Sequence, residues 1–283
     1  MAEPSVSITP GVDALVFATS VGGGDFASSH RLELADGRIV FAKTHSNPPP
    51  NFFSTEAAGL EWLRNSNTVA VPELLHVGDS PPLLVLEWID EERSARPDEA
   101  AFGRALGALH SAGFETFGRP DGRTTGSLAL SNDPSDSWAE FLAERRLLPL
   151  AQIANDRRSL PSDTIGRLET LTARLDELVP PPEAPSLLHG DLWAGNRMVD
   201  TEGKSWLIDP ACFGGHREFD LAMMRLFGGY GDTVFDAYHE AFPLTDGWRE
   251  RIALHQLPPL IVHAIKFGGG YPAAVDRAIA TFL

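Results

Sequence analysis

The 283-residue chain is 43% hydrophobic, enough to bury the core of one large domain or two modest ones. Its 23 basic residues against 39 acidic ones leave a net charge of −16, which repels nucleic acid and anionic membranes and excludes both as expected partners. The opening MAEPSVSITPG lacks the basic and apolar regions of an export signal, no stretch reaches the ~18 apolar residues of a membrane span, and the lone Cys212 can form no internal disulfide, so a soluble cytoplasmic protein is expected.

From about residue 15 to 89 the pattern favours strands. HRLELADGRIVFAKTH, residues 30 to 45, alternates apolar and polar side chains around an ADG turn, as a β-hairpin does. A Pro-rich loop follows, then a helix expected from Ser54 to Asn65 with Ser54 or Thr55 near its start. PPLLVLEWID, residues 81 to 90, reads as a short apolar strand with a polar exit at Glu87. Beyond residue 97 helical spacing takes over. Ile165, Leu168, Leu171, Leu175 and Leu178 recur every three or four residues and predict one apolar helical face that stops at the prolines of 180 to 182. Two strand-like pieces, SLLH and SWLID, precede helical patterns over 218 to 227, 232 to 242 and 248 to 267, the last expected to be interrupted at Pro258 and Pro259.

The chemistry concentrates in LLHGDLWAGN, residues 187 to 196. Asp191 and Asn196 are five apart, the spacing of the H-R-D-L-x-x-x-N loop of kinases with Gly190 in place of the Arg, and Asp209 ends an apolar strand thirteen residues on. Taken singly, an Asp or Asn in a loop is a turn former. Jointly they supply what phosphoryl transfer needs: a carboxylate to orient and deprotonate the accepting hydroxyl (Asp191), and oxygen ligands for Mg2+ on the ATP phosphates (Asn196 and Asp209).

A kinase requires further parts upstream, in a fixed order. A glycine turn to cover the phosphates is offered by Gly22, Gly23 and Gly24, without the protein-kinase G-x-G-x-x-G spacing. Lys43 closes the strand RIVFAK and is the candidate phosphate-side lysine; Glu56 is the first choice for its helical partner and Glu61 the second. LVLEWID, with Glu87, resembles the hinge strand whose backbone receives adenine.

HGDLWAGN resembles the catalytic loop of the fructosamine (ketosamine) kinases, relatives of aminoglycoside phosphotransferases and choline kinases. Further echoes are GSL (126 to 128), WAEFLAERRLLP (138 to 149), IDPACFGGHREFDLAM (208 to 223) and FGGGY (267 to 271), so the resemblance runs over roughly residues 8 to 283. It implies an α+β, two-lobed protein-kinase-like fold: an antiparallel sheet lobe over residues 1 to 88 and a mostly helical lobe over 89 to 283. It also implies transfer of the ATP γ-phosphate to a sugar hydroxyl of a ketosamine, free or on a glycated lysine, as a deglycation step. Asp191 would be the base, Trp193 an aromatic wall for the acceptor, and Asp220 a helix-opening residue accepting hydrogen bonds from the catalytic loop. His189 is expected to be structural.

Many relatives carry a cysteine in the glycine loop where this chain has Asp25, so no disulfide dimer is expected and the chain is read as a monomer, with Cys212 a buried small residue. DPA stands where protein kinases have DFG and no APE segment follows, which excludes activation-loop control. Two alternatives keep part of this reading: a phosphotransferase for an aminoglycoside, choline or other amino alcohol, and a non-catalytic nucleotide-binding module.

Overall fold

The structure, a computed structural model, describes residues 15–22 and 27–283; Gly23, Gly24 and Asp25 lie outside the described residues. Strands β1 (Leu15–Val21), β2 (Ser28–Leu34) and β3 (Ile39–Thr44) lead into helix α1 (Phe52–Asn65), and β4 (Leu74–Asp79) and β5 (Pro82–Glu87) complete an antiparallel sheet of order β1-β2-β3-β5-β4. The expected ADG hairpin is β2–β3, with Ser29 opposite Lys43 and Leu32 opposite Val40. Period two then sorts the side chains. Leu32, Leu34, Val40, Ala42, Leu83 and Val85 form one small core, while Leu84 and Leu86 turn to α1. Lys43, opposite Leu84 on β5, shares that second face.

Helix α1 begins two residues before the predicted Ser54. Asn51, in the left-handed region at φ 59°, precedes the helix without a side-chain cap, and the Ser54 hydroxyl donates back to the Asn51 carbonyl at 3.2 Å instead of capping. The buried face of α1 packs Phe53, Ala57, Leu60 and Leu63 against Leu106, Leu187, Leu207 and Leu221, so the core passes from the sheet lobe into the helical lobe without a break.

The helical lobe opens with α2 (Glu99–Ser111), whose cap Asp98 accepts from the Ala101 N–H at 2.8 Å. Next come α3 (Trp138–Leu142), a π-helical stretch (Ala143–Leu147) and α4 (Leu148–Asp156). The apolar face predicted over 165 to 178 is divided between α5 (Ser162–Thr172) and α6 (Leu175–Leu178), with Ile165, Leu168, Leu171 and Leu175 buried. Short strands β6 (Ser186–Leu188), β7 (Arg197–Val199), β8 (Ser205–Leu207) and β9 (Phe213–Gly215) pair as β6–β9 and β7–β8. Helices α7 (Glu218–Leu226), α8 (Asp232–Ala241), α9 (Ile252–Phe267) and α10 (Tyr271–Ile279) follow. Contrary to the expected interruption, α9 runs through Pro258 and Pro259. Each proline forfeits an N–H donor, but both are buried, and packing of Leu254, Leu257, Ile261 and Ala264 in the main helical core holds the helix together.

Trp138 knits this core. Its ring stacks on Phe141 and meets Phe219 edge-on, and its indole N–H donates to His255 Nε2 at 3.0 Å. That bond leaves the His255 hydrogen on Nδ1, and the Glu218 N–H donating to His216 Nδ1 at 3.3 Å leaves the His216 hydrogen on Nε2. These two N–H groups face the carboxylates of Glu218 and Glu183 at 3.7 and 3.6 Å. His216, Glu218 and His255 have metal-ligand residue types within 4.8 Å of one another. A ligating histidine offers a lone pair and donates through its other nitrogen; here the inward nitrogens are the donors, so the cluster is a structural joint rather than a cation site.

Candidate active site

The loop after β6 holds the predicted catalytic residues in place through its backbone. Gly190 has φ +81°, and a Cβ there would lie 2.3 Å from the Ala211 carbonyl oxygen, so a side chain at this position collides with the strand-end segment. That contact accounts for HGD where protein kinases have HRD. Asp220, fully buried in the first turn of α7, accepts from the His189 N–H at 2.7 Å and the Gly190 N–H at 3.0 Å. His189 donates through Nε2 to the Ile208 carbonyl at 3.0 Å and accepts from the Asp191 N–H at 3.3 Å. Burial holds its pKa below the ordinary histidine value, so it stays neutral and ties the loop to the segment after β8 that carries Asp209.

The polar side chains form two groups at the same cleft. Asn196 donates through Nδ2 to the Asp191 backbone oxygen at 2.9 Å and to its Oδ2 at 3.0 Å. Lys43 Nζ meets Glu56 Oε1 and Asp209 Oδ1, both at 2.6 Å. Burial disfavours the lysine's charge, but the two carboxylates outweigh it and hold its pKa above the usual range. Glu61, the second choice for this pairing, is exposed. Asp209 sits at φ 56°, an uncommon left-handed conformation that an Asp tolerates better than a β-branched residue. The Asp191 carboxyl is pushed up to about 6, chiefly by burial, with the Asn196 hydrogen bond and the Lys266 charge opposing. Such a carboxylate is still mostly ionised at neutral pH and is a stronger base than an ordinary aspartate.

Asp191, Asn196 and Asp209 line a cleft of about 1390 Å³ between the lobes, larger than the roughly 300–1,000 Å³ of a typical single small-molecule site. Toward the sheet it is bordered by Gly22, Ser29, Phe41, Leu86 and Trp88. Glu87 also borders it, but its carboxylate accepts from the Glu73 N–H at 3.1 Å and its own N–H goes to the Glu73 carbonyl at 2.9 Å.

The other end is aromatic. Trp193, 39% exposed, meets Phe227 at 5.9 Å; His263 bridges Phe227 at 5.1 Å, Phe267 at 5.4 Å and Tyr271 at 4.9 Å. Gly195 is the floor under Trp193, since a Cβ at residue 195 would lie 2.2 Å from the indole. The GSL loop closes this end and is anchored by Arg146, which the π-helical stretch turns inward to bond the Ser131 carbonyl at 2.8 Å and Asn132 Oδ1 at 2.5 Å. Its guanidinium lies over Phe141 and Phe213, each at 4.6 Å.

Comparison with known proteins follows the same outline. The family profile described as fructosamine kinase matches residues 9–283. The chain belongs to the fructosamine kinase family. It is 34% identical over 263 residues to an Enterococcus faecium protein assigned as a ketoamine kinase, covering 92% of this chain and 93% of that one. It is 33% identical over 272 residues to the chloroplastic protein-ribulosamine 3-kinase of Arabidopsis thaliana, covering 93% and 82%. A crystal structure of a Thermobifida fusca protein assigned as a fructosamine-3-kinase superposes with TM-score 0.88 at 38% identity over 95% of this chain and 94% of that one. The choline kinase LicA of Streptococcus pneumoniae, at TM-score 0.59 and 15% identity over 94% and 93%, shares the fold alone.

As a fructosamine kinase family member the protein is an ATP-dependent phosphotransferase of the two-lobed kinase fold. Its residues suit the magnesium that such chemistry uses. Asp191 takes the Asn196 amide NH2 and Lys43 takes Asp209 Oδ1, so the oxygens left to a cation are Asn196 Oδ1 and Asp209 Oδ2, a hard-oxygen pair. Sequence reasoning missed Arg146, Phe227 and His263; the ERR and GSL echoes lay on the right segments but carried no signal of their mutual contact. Lys266 was also missed, although it directly precedes the FGGGY stretch.

Proposed function

We propose that the protein transfers the γ-phosphate of ATP to a hydroxyl on the sugar part of a ketosamine, with residues 1–88 covering the nucleotide and 89–283 holding the acceptor. The observation that carries this is the pair Asp191–Asn196 and the group Asp209–Lys43–Glu56, with Asp191, Asn196 and Asp209 on one nucleotide-sized cleft that ends in aromatic rings. Asp191 accepts the hydroxyl proton as the hydroxyl oxygen forms its bond to the γ-phosphorus, and the bond from that phosphorus to the departing ADP oxygen breaks. Lys43, held by Glu56, pairs with the α and β phosphates, with the glycine turn at Gly22, Gly23 and Gly24 over them and the Glu87 hinge segment beside the base. Asn196 and Asp209 would hold Mg2+, which neutralises phosphate charge when bound. Trp193 walls the sugar.

Phosphorylation of a ketosamine loosens the adduct and frees the amine, so the biological role follows as deglycation in the cytoplasm, on free adducts or glycated lysines, by a monomer. The test is magnesium-dependent ADP release with fructose and ribulose adducts of lysine beside aminoglycosides and choline, with Asp191→Asn as the blank. Turnover confined to ketosamines supports the reading; turnover only with the other alcohols rejects it.

A further inference from the structure

Arg119 has no exposed surface, although its guanidinium is charged at every working pH. It grips the Asp121 carboxylate through Nε and Nη2, each at 2.8 Å, and its Nη1 donates to the Cys212 carbonyl at 2.8 Å. The guanidinium also lies over the Trp62 ring of α1, 4.2 Å from the ring centre. Its backbone is fixed in the helical lobe. The Arg119 N–H donates to the Asn132 carbonyl at 2.7 Å, and Gly118 beside it exchanges bonds of 2.7 and 2.8 Å with Gly214 of β9. A buried ion pair is weak ground for stability, because a well-packed apolar side chain serves a core as well. What this one does is join α1 to the chain that follows Asp209.

Both of those pieces carry nucleotide-side charges. Glu56, Gly59 and Trp62 follow one another at intervals of three along α1, and each meets the helical lobe. Glu56 shares Lys43 with Asp209. Gly59 lies against Cys212, where an added Cβ would stand 3.1 Å from the Cys212 Cβ and 3.2 Å from its Sγ. Trp62 lies under Arg119, which bonds the carbonyl three residues past Asp209. One guanidinium therefore touches both sides of the seam. A kinase needs its lysine–glutamate pair assembled, and protein kinases set the glutamate helix with a phosphorylated activation loop. Here DPA leads to no APE segment, so the setting of the helix is left to packing. Resting on the reading above in which Lys43 meets the ATP phosphates, we propose that Arg119 is a positioning residue for the nucleotide. It fixes α1 against the 209–212 segment and so holds the gap across which Lys43 reaches both Glu56 and Asp209.

The experiment measures by calorimetric titration the Kd of adenosine and that of the non-hydrolysable Mg2+–AMPPNP complex. The ratio of the first to the second reports what the phosphate-side groups contribute. Lys43→Met is the reference and should lower the ratio most. Arg119→Met should lower it about tenfold, within the range that partners behind a ligating group usually cost, with the adenosine Kd little changed. Arg119→Lys, which keeps a donor for the Cys212 carbonyl, should recover part of the loss. Loss of folded protein lowers the number of sites and not the ratio, so a merely structural arginine would leave the ratio unmoved. Gly59→Ala approaches the seam from α1: alanine favours a helix over glycine, while its Cβ presses against Cys212 and should lower the same ratio several-fold. Should Arg119→Met fail to fold, Gly59→Ala decides by itself. An unchanged ratio in the variant that decides, with the ratio of Lys43→Met lowered, overturns this inference and leaves the nucleotide reading of Lys43 standing. An unchanged ratio in Lys43→Met overturns both.

Discussion

The two ends of the cleft are built by opposite strategies. At the reacting end, Asp191, Asn196 and Asp209 lie within nineteen consecutive residues and are held by backbone hydrogen bonds to Asp220, His189 and Ile208. At the proposed acceptor end, Trp193, Phe227, His263 and Tyr271 come from different elements and meet through ring contacts of 4.9–5.9 Å. Chemistry that tolerates little displacement is fixed by short loops and main-chain donors. A surface that selects a substrate can be assembled from side chains alone and altered piecemeal.

The largest effect that sharpens this contrast is expected at the base. Asp191→Asn should lower turnover on the order of 100-fold or more while ATP binding persists, measured by steady-state kinetics beside nucleotide titration. Full activity in that variant would remove Asp191 from the mechanism. Gly190→Ala probes the backbone that holds the base. The Cβ–carbonyl overlap of 2.3 Å and the φ of +81° should cost on the order of 2 kcal/mol or more and reduce kcat, read by thermal unfolding and kinetics together. An unchanged melting temperature and kcat would show that the loop does not depend on that close approach.

The buried His216–Glu218–His255 joint in the helical lobe is expected to be pH-sensitive. His216 is pushed down to about 3, first by burial and then by Arg217, Arg251 and His110, while His255 from α9 stacks on it at 6.0 Å and Glu183 and Glu218 lie alongside. Its folded pKa is below the unfolded value of ~6.5, so the unfolded chain binds the proton first. Stability from this group is whole above pH ~6.5 and falls by about 1.4 kcal/mol per pH unit as the pH drops toward 3. Urea unfolding at pH 7.5 and 5.5 should show a smaller acid loss in His216→Gln than in wild type; equal losses would contradict a neutral buried histidine. The smallest expected effect is at the aromatic end. Gly195→Ala should displace the Trp193 indole and raise the acceptor KM several-fold, with little change in kcat or melting temperature. A fall in kcat without a change in KM would instead make Trp193 part of the reacting end.

The same contrast explains how much could be read beforehand. The catalytic-loop candidates, Lys43 and the preference for Glu56 over Glu61 followed from motif spacing and element order, and the α+β fold followed from the family resemblance. Helix starts and breaks were less legible. Asn51 leads into α1 without a capping side chain, α5 and α6 divide a continuous apolar pattern, and α9 passes through two prolines because its buried side chains hold it.

The sequence by itself determined the family and singled out Asp191 and Asn196 as candidates, because residues close along the chain with strict spacing report local geometry directly. Only the tertiary structure decided that Lys43 joins Asp209 across 166 positions, that Arg146 anchors the GSL loop, and that Lys266 shares a cavity with Asp191. Those contacts depend on how the lobes and α9 pack, and the distance along a chain carries no information about which distant side chains that packing brings into reach.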